Sequence, residues 1–303
     1  MPVDGYRNHV LAGLVGAGIA TSLTPALHER EADRLGVRCV YQRFDLTELG
    51  LTPADVGTLV GSAHRTGFTG LNITHPCKQL VIDHLDALSP DAVALGAVNT
   101  VVFEGPRAVG HNTDWSGFAH SFARGLPDVA THDVVMLGAG GAGAAVAHAL
   151  LTLGADRVTV VDTDPGRADL LAGGLRERFG RRRAAAAPTQ RLDRLMAEAD
   201  GLVHATPTGM ASHPGLPLPA ALLRAEHWVA DIVYRPLETE LVQLARSRGC
   251  RTLDGGGMAV YQAVDAFELF SGVVPDPDRM TAHFAELVAS TPTGPGTSGV
   301  PER

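Results

Sequence analysis

The segment DVVMLGAGGAGAAVAHAL, at residues 133–150, limits what this chain can fold into more than any other part of its sequence. An apolar run leads directly into a glycine-rich turn, and an alanine-rich helical segment follows at once. The residues of the turn are Gly138, Gly140, Gly141, Ala142 and Gly143. In such a unit the first glycine permits the tight turn, the second lets the backbone approach a pyrophosphate, and the last lets the helix pack on the strand. The helix N-terminus offers free N–H groups to phosphates, so the segment predicts dinucleotide binding.

An acidic residue at the end of the next predicted strand supports this interpretation. The strand RVTVVD ends in Asp162, 24 residues beyond Gly138. This is close to the ~20-residue spacing at which an acid hydrogen-bonds the adenosine ribose hydroxyls. The carboxylate would also repel the extra phosphate of NADP, and the nearest following arginine, Arg167, lies five positions further on. We therefore expect NAD as the cofactor, with NADP as the less favoured alternative. Asp164, just before Pro165, is predicted to be a turn residue or a helix cap.

Strand-like apolar runs alternate with amphipathic helical segments along most of the chain. The first series of strands is HVLAGLVG, VRCVYQRFDL, FTGLNIT and AVNTVVF, and the second is DVVMLG, RVTVVD, GLVHAT and WVADIVY. Such alternation predicts parallel sheets covered by helices on both faces. The two series meet near residues 112–118. From about residue 290 the chain is rich in Pro, Gly, Ser and Thr, which predicts a disordered tail.

Length and composition exclude several classes of protein. The 303 residues suffice for two domains, and 45% hydrophobic with 19% charged residues is typical of a globular protein. The net charge of −8 and the lack of a long basic run argue against a nucleic-acid partner. No apolar run approaches the ~20 residues that span a bilayer, and the N-terminal residues lack a signal-peptide pattern. Three unpaired cysteines and isolated histidines predict neither a disulfide framework nor a metal site, so we expect a cytoplasmic protein.

Polar residues gather at the predicted strand ends of the first half. Three pieces carry them: SLTP at 22–25, NITHPCK at 72–78, and NT at 99–100 with NTD at 112–114. In a parallel sheet these ends meet at one edge, where ligands bind. Hydroxyls, amides, Lys78 and Asp114 suit a small substrate with several hydroxyl groups, and oxidation of one hydroxyl requires a proton acceptor. Pro76 predicts that a helix starts at once, with Lys78 in its first turn.

Taken together, these motifs resemble the shikimate dehydrogenase family over roughly residues 10–290. The motifs are SLTP (22–25), NITHPCK (72–78), GAVNT (96–100), HNTD (111–114), GAGGAG (138–143), ATPTGM (205–210), DIVY (231–234) and GGGMAVYQA (255–263). The resemblance implies an α/β protein with a substrate domain (1–114), a Rossmann domain (115–254) and C-terminal helices (255–289) that return to the substrate domain, leaving 290–303 as the tail. It also implies an active site in the cleft between the two domains.

The resemblance further implies roles for individual residues. Lys78 and Asp114 take the positions of the catalytic pair. The positions that contact the substrate are Ser22, Thr24, Thr74, Asn99, Tyr234 and Gln262. The positions expected on the nicotinamide side are Thr206, Ile232, Gly255 and Met258. The implied reaction is reversible oxidation of the C3 hydroxyl of a polyhydroxy ring acid.

Two departures from the biosynthetic members narrow the expectation. Those enzymes usually carry serine at the position of Thr24 and an Asn-Arg-Thr-type sequence where this chain has Asp162-Thr163-Asp164. Both departures are similar to the NAD-dependent quinate/shikimate dehydrogenases, so we expect quinate and shikimate as substrates. For the oligomeric state, we expect a monomer or a homodimer. The alternatives are an NADP-dependent biosynthetic shikimate dehydrogenase, an aminoshikimate or aminoquinate dehydrogenase, and a non-catalytic sensor of a ring acid.

Overall fold

The computed structural model describes residues 9–290, which form two six-stranded sheets with helices packed on them. The strands of the first sheet are β1 (His9–Gly16), β2 (Arg38–Asp45), β3 (Gly70–Ile73), β4 (Ala87–Leu88), β5 (Thr100–Glu104) and β6 (Arg107–His111). They lie in the order β2-β1-β3-β5-β6-β4. The helices of this half are α1 (Thr24–Leu35), α2 (Val56–Arg65) and α3 (Pro90–Leu95).

The second sheet is parallel throughout and has the order β12-β11-β10-β7-β8-β9. Its strands are β7 (Asp133–Leu137), β8 (Arg157–Val161), β9 (Ala184–Ala187), β10 (Gly201–His204), β11 (Trp228–Asp231) and β12 (Arg251–Leu253). The helices of this half are α4 (Asp114–Gly125), α5 (Gly141–Thr152), α6 (Pro165–Phe179), α7 (Leu192–Glu198) and α8 (Glu240–Ser247). Because the strand order reverses direction between β7 and β10, a ligand crevice is expected at the carboxyl end of β7. The α/β class and the Rossmann-type second half predicted from the sequence are confirmed.

The first sheet is mixed, which corrects the expectation of purely parallel strands. β5 runs antiparallel to both β3 and β6, while β1 pairs in parallel with β2 and β3. Glu104 pairs with Arg107, so only two residues connect β5 to β6. A connection this short can join only antiparallel strands. The first of the two is Gly105, whose φ of 60° is the left-handed conformation that such a turn needs.

Two C-terminal helices, α9 (Gly255–Ser271) and α10 (Pro277–Ser290), connect the two halves. The first part of α9 packs against α4, and its last turns pack Phe267 and Phe270 against β1 and β5 of the first sheet. On α10, Arg279 forms a bidentate ion pair with the fully buried Glu31 of α1. The C-terminal segment therefore contacts both halves of the chain.

The ends of these elements bear on the predicted domain limits. The division that we propose between residues 114 and 115 falls at the start of α4, which packs on α5 and α9. Ser290, assigned above to the tail, is the last residue of α10. The rest of the predicted tail, 291–303, lies outside the described residues. Among residues 9–290, none of the helices is long and apolar enough to cross a membrane.

Candidate active site

A cleft of about 1560 Å³ lies between the two sheets and contains nearly all of the predicted site residues. Those on the predicted substrate side are Ser22, Thr24, Thr74, Lys78, Asn99, Asp114, Tyr234 and Gln262. Those on the predicted cofactor side are Gly138, Gly140, Gly141, Ala142, Asp162, Thr206, Ile232, Gly255 and Met258. Gly143 does not line the cleft. A Cβ at that position would lie 2.3 Å from the carbonyl oxygen of Gly138, so this glycine allows α5 to pack against the turn.

The centre of the substrate side is an ion pair between Lys78 and Asp114. Lys78 Nζ donates a hydrogen bond of 2.6 Å to Asp114 Oδ2. The side chains are only 23% and 10% exposed, respectively. A lysine held against a carboxylate in a partly desolvated cleft can exchange a proton with a bound hydroxyl group, provided that the hydroxyl lies within hydrogen-bond reach.

Lys78 does not lie in the first turn of a helix, so that expectation is wrong. Residues 74–77 form a turn closed by a 2.8 Å hydrogen bond from Cys77 N to Thr74 O. The helix that follows is a short 3-10 helix that begins two residues after Lys78. Pro76 fits a turn as well as a helix start, and contacts distant in sequence decide between them. One of these contacts is the 2.8 Å hydrogen bond from Val98 N to Lys78 O.

A buried amide network fixes the carboxylate of Asp114. Asn99 Nδ2 donates to Asp114 Oδ1 at 3.0 Å, and Asp114 N donates to Asn112 Oδ1 at 3.0 Å. Asn99 Oδ1 in turn accepts from Thr113 N at 2.7 Å. All four residues are at most 7% exposed. Because buried polar groups that are fully hydrogen-bonded have little freedom to move, the carboxylate presents a fixed acceptor to Lys78.

The hydroxyls of Ser22 and Thr24 lie side by side at another wall of the cleft, 3.2 Å apart. The loop that carries them begins at Gly18 and Ile19, whose N–H groups donate to the buried carboxylate of Asp45 at 3.0 and 2.6 Å. Burial alone would raise the pKa of Asp45, but these backbone donors outweigh it and lower the pKa below its ordinary value. The carboxylate therefore stays ionised and holds the loop in place.

Gln262 and Tyr234 complete the substrate side from the second half of the chain. Gln262 lies on α9, and its backbone oxygen accepts a 3.0 Å hydrogen bond from Oγ1 of Thr113, the residue that precedes Asp114. Tyr234 follows β11 and is 43% exposed at the mouth of the cleft. Both residues line the same cleft as Lys78.

The glycine turn on the other side has the shape that a dinucleotide requires. Gly138 has a φ of 104°, and a Cβ there would lie 2.5 Å from the carbonyl oxygen of Ala205. Gly140 is the N-cap of α5, so the free N–H groups of this helix start in the cleft. A Cβ at Gly141 would meet no described atom within 4 Å, which leaves room at the helix start. These residues fit a bound pyrophosphate, which Gly138, Gly140 and the start of α5 would hold.

Asp162, the predicted ribose acceptor, lines the cleft directly after β8. Its carboxylate accepts hydrogen bonds from Ala139 N at 2.7 Å and Asp164 N at 2.9 Å. Partial burial raises its pKa, but these two donors and the nearby charge of Arg167 outweigh that effect and lower the pKa below the ordinary value. The group is therefore a stable anion at this end of the cleft. Asp164 caps α6 by accepting from Gly166 N at 2.9 Å, as its position before a proline predicted.

Several residues of the cleft were missed in the sequence. Thr189 and Leu192 line it beyond β9, whose sequence AAAA lacks the β-branched and aromatic residues that indicate a strand. The rule that ligands meet the carboxyl ends of parallel strands would have found them once β9 was known. Arg235 hydrogen-bonds to the Thr21 carbonyl across the cleft. It belongs to none of the motifs identified in the sequence. Within residues 9–290, no group of three His, Cys, Asp or Glu side chains could hold a metal ion.

Comparison with protein-family models gives two matches to the chain. Residues 14–101 match the shikimate dehydrogenase substrate binding domain. Residues 134–213 match the saccharopine dehydrogenase NADP binding domain. The first matched region lies in the half of the chain that forms the first sheet, and the second lies in the half that forms the second sheet.

Curated relatives and solved structures match nearly the whole chain. It is 66% identical to a protein of Streptomyces avermitilis named shikimate dehydrogenase (NADP(+)), over 96% of this chain and 98% of that protein. It is 47% identical to a quinate/shikimate dehydrogenase (NAD(+)) of Corynebacterium efficiens, over 92% of this chain and all of that protein. Among solved structures, quinate dehydrogenase from Corynebacterium glutamicum in complex with NAD superimposes with a TM-score of 0.87 at 45% identity, covering 92% of this chain and 99% of that one.

Proposed function

The chain belongs to the shikimate dehydrogenase family, and we propose a specific reaction for it. It is an NAD(P)-dependent oxidoreductase that acts on CH–OH groups. The proposed reaction is the reversible oxidation of the C3 hydroxyl of quinate and shikimate, with NAD as the preferred cofactor. The observation that carries the proposal is the shared cleft. A partly buried Lys78–Asp114 pair occupies one part of it, and a glycine turn followed by the Asp162 carboxylate occupies another.

In the proposed mechanism, the ring acid binds with its C3 hydroxyl against Lys78. Ser22 and Thr24 donate their hydroxyl hydrogens to the substrate carboxylate, while Thr74, Asn99 and Gln262 are proposed to contact the ring hydroxyls. The bound nicotinamide supplies the acceptor for the hydride that leaves C3.

Lys78 is proposed to take the hydroxyl proton as the carbonyl forms, so it must first be neutral. Asp114 accepts a hydrogen bond from Lys78 Nζ at 2.6 Å, which fixes the direction of the amine. The amide of Asn99 holds the other oxygen of Asp114 at 3.0 Å. A proton acceptor held in this way typically contributes about 10²- to 10⁴-fold in rate.

The preference for NAD rests on the charge of Asp162. The carboxylate is an anion by the balance of its environment, and it would hydrogen-bond the two ribose hydroxyls and repel a 2′-phosphate. The residues proposed to contact the cofactor are Gly138, Gly140, Gly141, Ala142, Asp162, Thr206, Ile232, Gly255 and Met258. Gly143 acts indirectly, because its lack of a Cβ lets α5 pack against the turn.

A second candidate is an NADP-dependent shikimate dehydrogenase. Two observations favour it: the 66% identical Streptomyces relative is named for NADP(+), and Arg167 lies beside Gly140, with its Nη2 atom 3.4 Å from the position of a Cβ there. An arginine that turns toward the ribose could hold a 2′-phosphate.

The deciding experiment is a set of four assays on the purified protein, with quinate and with shikimate, each with NAD and with NADP. We expect the highest kcat/KM values with NAD, and turnover of both ring acids. A higher kcat/KM for shikimate with NADP than for either acid with NAD would overturn the cofactor proposal and support the second candidate. Binding of a ring acid without turnover under any of the four conditions would contradict the catalytic assignment.

A further inference from the structure

Behind the nicotinamide side of the cleft lies a buried row of polar side chains that the proposed mechanism does not use. The row consists of Thr239, Asp231, His204 and Thr206. Thr239 Oγ1 donates to Asp231 Oδ2 at 2.6 Å, His204 Nδ1 lies 2.9 Å from Asp231 Oδ1, and His204 Nε2 lies 2.5 Å from Thr206 Oγ1. The first three residues are at most 2% exposed, and only Thr206 reaches the cleft.

The hydrogen bonds of this row have a defined direction. Asp231 already accepts from the Thr239 hydroxyl and, at 3.0 Å, from Val233 N, and its carboxylate acts as an acceptor toward His204 as well. His204 therefore carries a hydrogen on Nδ1. In the neutral ring, Nε2 is then an acceptor, and the hydroxyl of Thr206 donates to it. Thr206 Oγ1 also accepts from Thr208 N at 3.2 Å, so its rotamer is fixed from two sides.

The position of the row in the second sheet shows which parts of the structure His204 connects. His204 and Asp231 are the last residues of β10 and β11, and they are direct partners in the parallel pairing of these strands. The loops that follow these strands carry Thr206 and Ile232, which line the cleft next to Met258. One imidazole thus links the two strand ends to the cleft wall that both loops form.

Imidazole is well suited to this link because its two ring nitrogens face opposite sides. Asparagine would reach only the partner at the Nδ1 side, which is Asp231. Glutamine would reach only the partner at the Nε2 side, which is Thr206. An apolar side chain would leave the buried carboxylate of Asp231 without one of its donors, which is costly.

We propose that His204 is a positioning residue that acts through Thr206: it holds the cleft wall against which the nicotinamide ring is oriented for hydride transfer. The inference rests on the proposed function, because it requires a dinucleotide in this cleft. Reaction rates depend strongly on such orientation. Loss of the His204–Thr206 contact should therefore weaken the cofactor and slow turnover while leaving the ring acid's own KM unchanged.

The test compares three single variants, His204→Asn, His204→Gln and Thr206→Val, with the double variant His204→Asn/Thr206→Val. The measurements are the dissociation constant of NAD by calorimetry, the KM of each substrate, and kcat. We expect His204→Asn and Thr206→Val each to weaken NAD binding about fivefold, the effect of losing one neutral hydrogen bond. His204→Gln should stay within about twofold of the parent protein, and the double variant should be no weaker than Thr206→Val alone.

Equal weakening by His204→Asn and His204→Gln, or an unchanged NAD dissociation constant in both, would overturn the proposal and leave His204 as a structural residue. If His204→Asn fails to fold, the test rests on the spectroscopic signature of His204 in the parent protein. Nitrogen-15 NMR of the parent protein provides an independent readout: His204 should be protonated at Nδ1, and its Nε2 signal should move when NAD is added. An Nε2-protonated neutral ring would contradict the proposed direction. Absence of NAD binding by the parent protein would instead count against the proposed function.

Discussion

Acid should destabilise this protein in part through one fully buried histidine, His28 of α1. The side chain is fully buried, and its ring packs against Tyr41, Phe267 and Phe270 at centroid distances of 4.9, 5.9 and 6.0 Å. Among residues 9–290, neither of its ring nitrogens has a hydrogen-bond partner. A charged imidazolium in this environment would lose its hydration without gaining a hydrogen-bond partner. Burial therefore lowers the pKa of His28 from 6.5 to about 3.

The consequence for stability follows from proton binding in the two states. The unfolded chain takes up a proton on His28 near pH 6.5, whereas the folded protein does not do so until about pH 3. Stability that is fully present above 6.5 is therefore lost progressively as the pH falls between these two values. Each pH unit in this window is worth ~1.4 kcal/mol. Since the group is fully buried, a fall from about pH 7.5 to about pH 5 should remove roughly 2 kcal/mol through His28 alone.

The assay is urea unfolding followed by circular dichroism at both pH values, for the parent protein and for His28→Leu. Other groups also titrate in this range, so the informative quantity is the change in unfolding free energy between the two pH values. For His28→Leu this change should be about 2 kcal/mol smaller than for the parent, whatever leucine does to packing. The control is His9→Leu, because His9 is exposed at the start of β1 and its replacement should leave the pH dependence unaltered. The same loss of stability in the parent and in His28→Leu would refute the reasoning.

Three further predictions concern the cleft and the ion pairs between helices α1 and α10. Lys78→Ala should lower kcat by about 100-fold or more, since it removes the proton acceptor, while quinate binding stays measurable by calorimetry; a loss below about tenfold, ~1.4 kcal/mol in barrier, would show that another group is the base. Asp162→Ser should lower the kcat/KM ratio of NAD to NADP by about tenfold, as expected for a charged hydrogen-bonding group, whereas Asp164→Ser, which keeps a helix cap, should not change it; an unchanged ratio in both would place the specificity elsewhere. Arg279→Met should cost about 3–5 kcal/mol of unfolding free energy because its glutamate partner is fully buried, and Arg30→Met, in a pair exposed at 44% and 63%, should cost less than about 1 kcal/mol; equal costs in urea unfolding would contradict this account.

The parts of the fold that local sequence patterns specify were predicted well. The turn from Gly138 onward and the helix cap at Asp164 depend on backbone geometry within a few residues, and the structure has both. The continuous apolar runs of the second sheet indicate strands buried on both faces, and the structure confirms these strands. The strand β9 was not predicted from the sequence, because AAAA is as compatible with a helix as with a strand.

The errors arose where contacts distant in sequence decide the structure. Pro76 is compatible with a helix start and with a turn, and the hydrogen bonds of the segment 74–78 to other parts of the chain select the turn. Similarly, the polar segment between Glu104 and Asp114 hides β6, because the antiparallel pairing that makes it a strand is supplied by β5. The roles of the residues in the cleft remain predictions, although the structure brings nearly all of them to one place.

The sequence by itself therefore determined the α/β class, the glycine turn and the acid that follows it, because each depends on side-chain periodicity or on conformations available within a short segment. Only the tertiary structure decided which polar groups meet. Lys78 and Asp114 are 36 residues apart, and His204 and Asp231 are 27 apart, yet both pairs are in hydrogen-bond contact. No local pattern encodes such a contact, because it depends on how the strands that carry these residues are ordered in their sheets. The order of the strands in the two sheets brings separate polar residues together as a candidate catalytic pair and as a candidate support for the cofactor wall.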